Sequence, residues 1–151
     1  MAPEFELDQK TRENLREDGY SEVVIDHWLR PRNVGPTKYY DAEGNLTSPC
    51  GESMWIWLRV KNGVIYDASF VSDICIGAVV SGSVLTEMIK ERTITSALGI
   101  TGADVLKELG GLPERFVHCA TLAADTLKAA ITNYLDFAKE PWKRAYQHKG
   151  R

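Results

Sequence analysis

Apolar and polar positions alternate most cleanly from Ser53 to Lys61, where Met54, Ile56, Leu58 and Val60 are interleaved with Ser53, Trp55, Trp57, Arg59 and Lys61. A period of two sends one set of side chains to a buried face, so this run predicts a strand. Asn62-Gly63 follows it, the pair best suited to a two-residue hairpin, and Val64 to Val71 reads as the returning strand. Trp55 and Trp57 stand on the second face of that hairpin. We expect that face to be covered in part, by packing under the N-terminal arm in preference to a partner.

Elsewhere the period is that of a helix. Residues Glu4 to Asp18 are rich in Glu, Lys, Arg and Leu and predict a frayed helix or an ordered arm. Ser21 is placed to cap a helix through Leu29, with Val24, Ile25, Trp28 and Leu29 at helical spacing and Pro31 to end it. Asn33 to Pro49 is a stretch of turn formers that predicts a loop with one short strand. Beyond Cys75, residues Ala78, Ser81, Gly82, Leu85, Met88 and Ile89 fall on one helical stripe. Thr93 or Thr95 starts a short helix through Leu98, and Thr101-Gly102-Ala103-Asp104 has the form of a capping box for a helix through Leu109. Gly110-Gly111-Leu112-Pro113 breaks the pattern, and a last helix is expected from about Cys119 to Phe137.

Helix, strands, then helices predict an α+β domain with helices packed on one face of a small antiparallel sheet. At 151 residues the chain is long enough for one domain with its own core. We divide it into an N-terminal arm (1–19), a main domain (20–138) and a C-terminal tail (139–151), basic and aromatic from Pro141 to Arg151. A net charge of −3 supplies no electrostatic reason to bind nucleic acid or an anionic membrane. There is no apolar run of membrane-spanning length and no secretory signal at the N-terminus. Three cysteines, an odd number, argue against a disulfide framework and fit a reducing cytoplasm.

Those cysteines are the chemistry-bearing feature. Cys50 precedes Gly51-Glu52, Cys75 opens a run of small residues, and Cys119 follows His118. A hairpin returns to its start, so Cys50, before the first strand, and Cys75, after the second, are expected to be close. Cys75 and Cys119 are each expected just before a helix, where the partial positive charge favours thiolate. Three thiolates at one edge would attract zinc, or iron with sulfide, with Glu52 and His118 as candidate fourth ligands. Each residue also has an ordinary explanation. A lone cysteine is most often a small buried hydrophobe, neighbouring helical residues point about 100° apart, and a glutamate at a strand start is usually solvated. His27 and His148 carry no expected chemical role. The combination is what points to a metal.

At these residues the chain resembles the U-type iron–sulfur cluster scaffold family, IscU and the N-terminal domain of NifU. The resemblance runs from about Tyr20 to Tyr134. It rests on Tyr20-Ser21-Glu22-Val23-Val24-Ile25-Asp26-His27, on Pro31-Arg32-Asn33-Val34-Gly35, on Cys50-Gly51-Glu52, on Asn62 to Phe70, and on Leu112-Pro113 with His118-Cys119-Ala120 and Leu122-Ala123. It implies a three-stranded antiparallel sheet with helices packed on it. It also implies a scaffold, not an enzyme, which takes sulfur from a cysteine desulfurase, gathers iron, assembles a [2Fe–2S] cluster and passes it to acceptor proteins. Cys50, Cys75, Cys119 and His118 match the family's site, with Glu52 where it has aspartate, and Cys119 is its expected sulfur acceptor, on a mobile segment near Pro113.

The chain departs from that pattern in places. The glycines flanking the family's second cysteine are Ile74 and Ile76 here. The family's Leu-Pro-Pro-Val-Lys, read by a specialised Hsp70 and J-protein system, is Leu112-Pro113-Glu114-Arg115-Phe116, so the resemblance does not carry chaperone recognition over. No long insertion separates the second and third cysteines, unlike the zinc-dependent SufU branch. Two other readings stand beside the scaffold: a divergent paralogue with a structural or regulatory zinc site on the same residues, and a thiol enzyme using Cys119 with His118 as base.

Overall fold

The computed structural model describes residues 2–139; the tail from Pro141 to Arg151, with His148, lies outside the described residues. The predicted hairpin is the centre of the sheet. Strands β2 (Ser53–Lys61) and β3 (Val64–Ser72) pair antiparallel, Met54 opposite Ser72 and Lys61 opposite Val64. Asn62 and Gly63 close the turn with φ of 54° and 76°, the positive values that such a turn demands. Met54, Ile56 and Leu58 are fully buried, as the alternation requires.

Strand β1 (Ala42–Thr47) pairs with the other side of β2, from Ala42 opposite Leu58 to Thr47 opposite Ser53, giving the order β1-β2-β3. Its sequence, with Gly44 and Asn45, is a poor strand former, and only tertiary packing explains it. The long helix α6 (Val117–Lys139) lies against β1, and a Cβ on Gly44 would sit 2.4 Å from the backbone nitrogen of Ala130. Glycine in a strand here marks a close backbone approach. A register shift between Arg59 and Val60 interrupts the β2–β3 ladder, and the Val60 N–H is donated to the Asp41 carboxylate at 2.7 Å.

The helices cover the inner face of the sheet, as the element order predicts. α6 contributes Leu122, Ala123, Leu127, Ala130 and Ile131, and α3 (Ile76–Ile89) lies on β3. Gly82 of α3 meets the Phe70 ring so closely that a Cβ would fall 2.4 Å from it. The helix gives up roughly 1 kcal/mol of propensity there and gains a flat seat on the sheet. Short helices α4 (Ile94–Leu98) and α5 (Gly102–Leu109) follow, and α5 has the expected capping box between Thr101 and Asp104. Helix α1 (Ala2–Glu17) packs chiefly on α2 (Glu22–Leu29), not on the outer face of the hairpin. Trp57 is buried, while Trp55 remains 42% exposed.

The margin of β3 is tied to the rest of the chain. Phe70 donates its N–H to Asn33 O and accepts from Gly35 N–H, both at 2.9 Å. Ile65 donates to Arg92 O at 2.8 Å, and Ala68 N–H goes to the side chain of Asp67. Asn33, at a φ of 62°, is held by Lys90 Nζ at 2.6 Å and by Thr86.

Behind this loop, α2 and α3 are joined by a buried pair. Ser83 Oγ accepts the Arg32 N–H at 2.9 Å and lies 2.6 Å from His27 Nδ1. Ser83 can donate only to a neutral His27. Burial, helped by the nearby Arg32 cation, lowers the His27 pKa below its ordinary 6.5. A depressed native pKa means stability is fully present above pH 6.5 and is lost as pH falls through the lower native value. We expect the urea midpoint to drop between pH 7.5 and 5.5, and a His27→Gln variant to lose part of that drop. An unchanged pH dependence in the variant removes His27 as its cause.

Candidate metal centre

The site forms at the end of the sheet away from the Asn62-Gly63 turn. The chain enters β2 through the turn Ser48-Pro49-Cys50-Gly51, in which Gly51 N–H bonds Ser48 O at 2.9 Å with Gly51 at a φ of 91°. Glu52 is thereby delivered at the head of β2. Asp73, just past β3, takes the Ser53 N–H at 2.9 Å and ties the two strand ends together. Cys75 then caps α3, in extended backbone and without a side-chain capping bond.

From the opposite side, a single 3-10 turn, Glu114–Phe116, leads directly into α6. The helix begins two residues before the boundary the sequence predicts, so His118 and Cys119 lie in its first turn and Cys119 does not precede it. Glu52, His118 and Cys119 converge, with their ligand atoms all within 4.8 Å of one another. The Cys119 thiol donates to Glu52 Oε2 at 3.1 Å, and His118 Nε2 lies 3.1 Å from the same oxygen. His118 Nε2 and Cys119 Sγ are 3.7 Å apart. Although adjacent helical residues diverge, the shared carboxylate draws the imidazole and the thiol together.

Cys75 is half-buried and near enough to Cys119 to help raise its pKa. Cys50 is exposed on its turn and stands outside the Glu52–His118–Cys119 group. Of the five residues singled out from sequence, three therefore meet, a fourth adjoins them and the fifth, Cys50, is not brought into the group. Ile74 beside Cys75 is 92% exposed, so its bulk points away from the site.

The electrostatics of Cys119 reverse the expectation drawn from a helix N-terminus. Its side chain is fully buried. Burial first, then the hydrogen bond to Glu52 and the proximity of Cys75, push its pKa well above the ordinary thiol value. The half-charge of a helix end is a smaller effect than loss of solvation at a buried thiol. In this arrangement Cys119 is a neutral thiol whose proton points at a carboxylate.

These residues suit a soft or borderline cation: sulfur and imidazole donors from α6 and a carboxylate at the head of β2, with a second sulfur adjacent at the start of α3. Sequence reasoning missed Phe116, which flanks Gly77 opposite Cys119. Its only signal is its position three residues before the cysteine, one turn of helix away. Among the described residues no helix is long and apolar enough to cross a membrane.

Residues 19–140 match the model of the NifU-like N-terminal domain. The chain is 44% identical over 116 residues to the iron-sulfur cluster assembly scaffold protein IscU 1 of Archaeoglobus fulgidus, covering 76% of each. It is 42% identical over 119 residues to the IscU scaffold protein of Aquifex aeolicus, covering 77% of this chain and 76% of that one. Against the Escherichia coli K12 IscU scaffold protein it is 40% identical over 120 residues, 76% of this chain and 93% of the other. The crystal structure of a NifU-like N-terminal protein from Brucella abortus superposes with a TM-score of 0.59 at 21% identity, covering 77% of this chain and 94% of that one. A putative scaffold protein for the SUF system from Fervidobacterium islandicum does so with 0.59 at 18% identity, covering 74% and 96%. These two likenesses bear on the fold alone. On the family model and the identities above, the chain belongs to the NifU-like N-terminal domain family.

Proposed function

We propose that this protein is a scaffold on which an iron–sulfur cluster is assembled and from which it is handed on, and that it is not an enzyme in its own right. The observation that carries the reading is the convergence of Glu52, His118 and Cys119, with Cys75 beside them, in a member of a family whose curated relatives are named as such scaffolds. The cluster, [2Fe–2S] in our reading, is cargo. Cys75 and Cys119 hold it from within, Cys50 closes over it from the exposed turn, and Glu52 or His118 supplies the remaining position. One oxygen or nitrogen ligand in place of a fourth thiolate makes for a weaker grip, which suits a protein that must release what it builds.

Glu52 has a second task. A ligand sulfur must lose its proton when metal arrives, and Glu52 Oε2, which accepts the hydrogen bond of the Cys119 thiol at 3.1 Å, is the base placed to take it. The same deprotonation serves sulfur delivery from a cysteine desulfurase. The Cys119 thiolate attacks the outer sulfur of the donor's persulfide, the donor's S–S bond breaks, and the donor leaves as its thiol while Cys119 carries the new persulfide. Domain limits of 20–138, a cytoplasmic setting and acceptor proteins as partners complete the proposal.

A resident zinc ion is the second reading, because the same mixed sulfur, nitrogen and oxygen set suits zinc. Anaerobic reconstitution with iron, sulfide source and a desulfurase separates the two. We expect visible absorbance in the wild type and its loss in Cys75→Ala and Cys119→Ala. A colourless product sinks the scaffold reading; zinc in the purified protein does not by itself decide between them.

A further inference from the structure

Cys119 is fully buried, yet every role proposed for it requires that something reach its sulfur. A Cβ placed on Gly77 would lie 2.8 Å from Cys119 Sγ, 2.8 Å from Phe116 Cβ and 3.0 Å from Phe116 Cγ. The thiol and the ring thus flank the same bare glycine in the first turn of α3. Phe116 offers no ligand atom, so it can leave without dismantling the site, whereas Glu52, His118 and Cys75 cannot. It belongs to a lightly held segment. The turn Glu114–Phe116 contains no buried residue, and Phe116 itself is only partly buried against the core.

Leu112 and Phe116 rest on the core only in part, and the Phe116 N–H is satisfied within the turn, by Pro113 O at 2.8 Å. Gly110 and Gly111 donate to Lys107 O and Leu106 O, bonds that finish α5 and leave residues 112–116 untethered by them. Arg115 reaches the Tyr20 hydroxyl only at 3.4 Å. Gly110 and Gly111 have φ of 76° and 96°, and nothing lies within 4 Å of the position a Cβ on Gly111 would take. These are the left-handed angles of the glycine cap that ends α5.

We propose that Phe116 sets access to the Cys119 thiol: its ring closes the approach between the 3-10 turn and α3, and the sulfur is reached when that ring turns aside. Where the family resemblance has a lysine, this chain has a flat apolar ring, so the closure is a property of this chain. Phe116 acts through Cys119 and is a positioning residue. The inference deepens the scaffold reading, on which its biological meaning rests, but its test needs no metal.

The full metal-free chain is treated with N-ethylmaleimide at pH 8 in the presence of a chelator, and modification is followed cysteine by cysteine by peptide mass mapping. We expect Phe116→Ala to speed modification of Cys119 by about tenfold, with the Cys50 rate unchanged, and Phe116→Leu to restore the slow rate. An unchanged Cys119 rate in a folded Phe116→Ala protein overturns the proposal, as does a leucine variant as fast as the alanine one. Should Phe116→Ala fail to fold, the wild type decides. The smaller iodoacetamide must then outpace N-ethylmaleimide at Cys119, relative to Cys50, by about tenfold, and equal ratios overturn the idea. A failed reconstitution leaves this result standing, and a failed alkylation test leaves the scaffold reading standing.

Discussion

Replacing Gly44 by alanine is expected to cost at least about 3 kcal/mol, at the upper end of what overpacking a core usually does. The added carbon would lie 2.4 Å from Ala130 N, 2.7 Å from Thr126 O and 2.9 Å from Ala130 Cα. All three are backbone atoms of α6, so no side chain can turn aside to make room. Either β1 or the helix must move as a body, and α6 also carries Leu127 and Ile131, both fully buried. Against a net stability of about 5–15 kcal/mol, the loss should lower the melting temperature by roughly 10 °C. The exposed neighbour Asn45 is the control, because Asn45→Ala should change stability by no more than about 0.5 kcal/mol. Similar melting temperatures for Gly44→Ala and wild type would show that β1 and α6 are not in backbone contact.

The second large effect is in thiol chemistry. At pH 8 we expect Cys50 to be alkylated at least about a hundredfold faster than Cys119, with Cys75 between them, following exposure and thiolate content. Cys50 is exposed, Cys75 half-buried and Cys119 buried. Burial is the largest cause of the raised Cys119 pKa and the Glu52 hydrogen bond the next. Removing the carboxylate in Glu52→Ala therefore relieves the smaller part of the effect, and an acceleration of about tenfold at Cys119 is the expected result. Equal rates at Cys50 and Cys119 in the native protein would mean that the thiol is neither buried nor held by Glu52. The order also bears on the thiol-enzyme reading, which needs Cys119 to be the most reactive of the three.

How much of the fold was legible in the sequence depends on how local each cause is. The β2–β3 hairpin was plain because alternation and an Asn-Gly turn are both written within a few residues of each other. The helix caps at Ser21 and Thr101 were legible for the same reason. β1 was legible only as one short strand somewhere in 33–49, since Gly44 is a weak strand former until Thr126 and Ala130 of α6, more than 80 residues later, are laid against it. The three thiols could be listed as ligand candidates but not ranked. Their difference in exposure depends on which loop turns outward and which packs beneath a ring. The element order already pointed to helices on one face of a small antiparallel sheet, whereas the scaffold role came from the resemblance, and no local pattern in the chain would have supplied it. The resemblance could not supply the hydrogen bond that the Cys119 thiol donates to Glu52. That depends on a burial no motif encodes, and it runs against the helix-end argument for a thiolate.

The ties along β3 have a consequence for how the protein behaves among its neighbours. Asn33 and Gly35 engage Phe70, Arg92 engages Ile65, and Asp67 occupies the Ala68 amide. A foreign strand approaching that flank finds the amides of Ile65, Ala68 and Phe70 already taken. Edge-to-edge growth of stacked copies is thereby disfavoured along this margin.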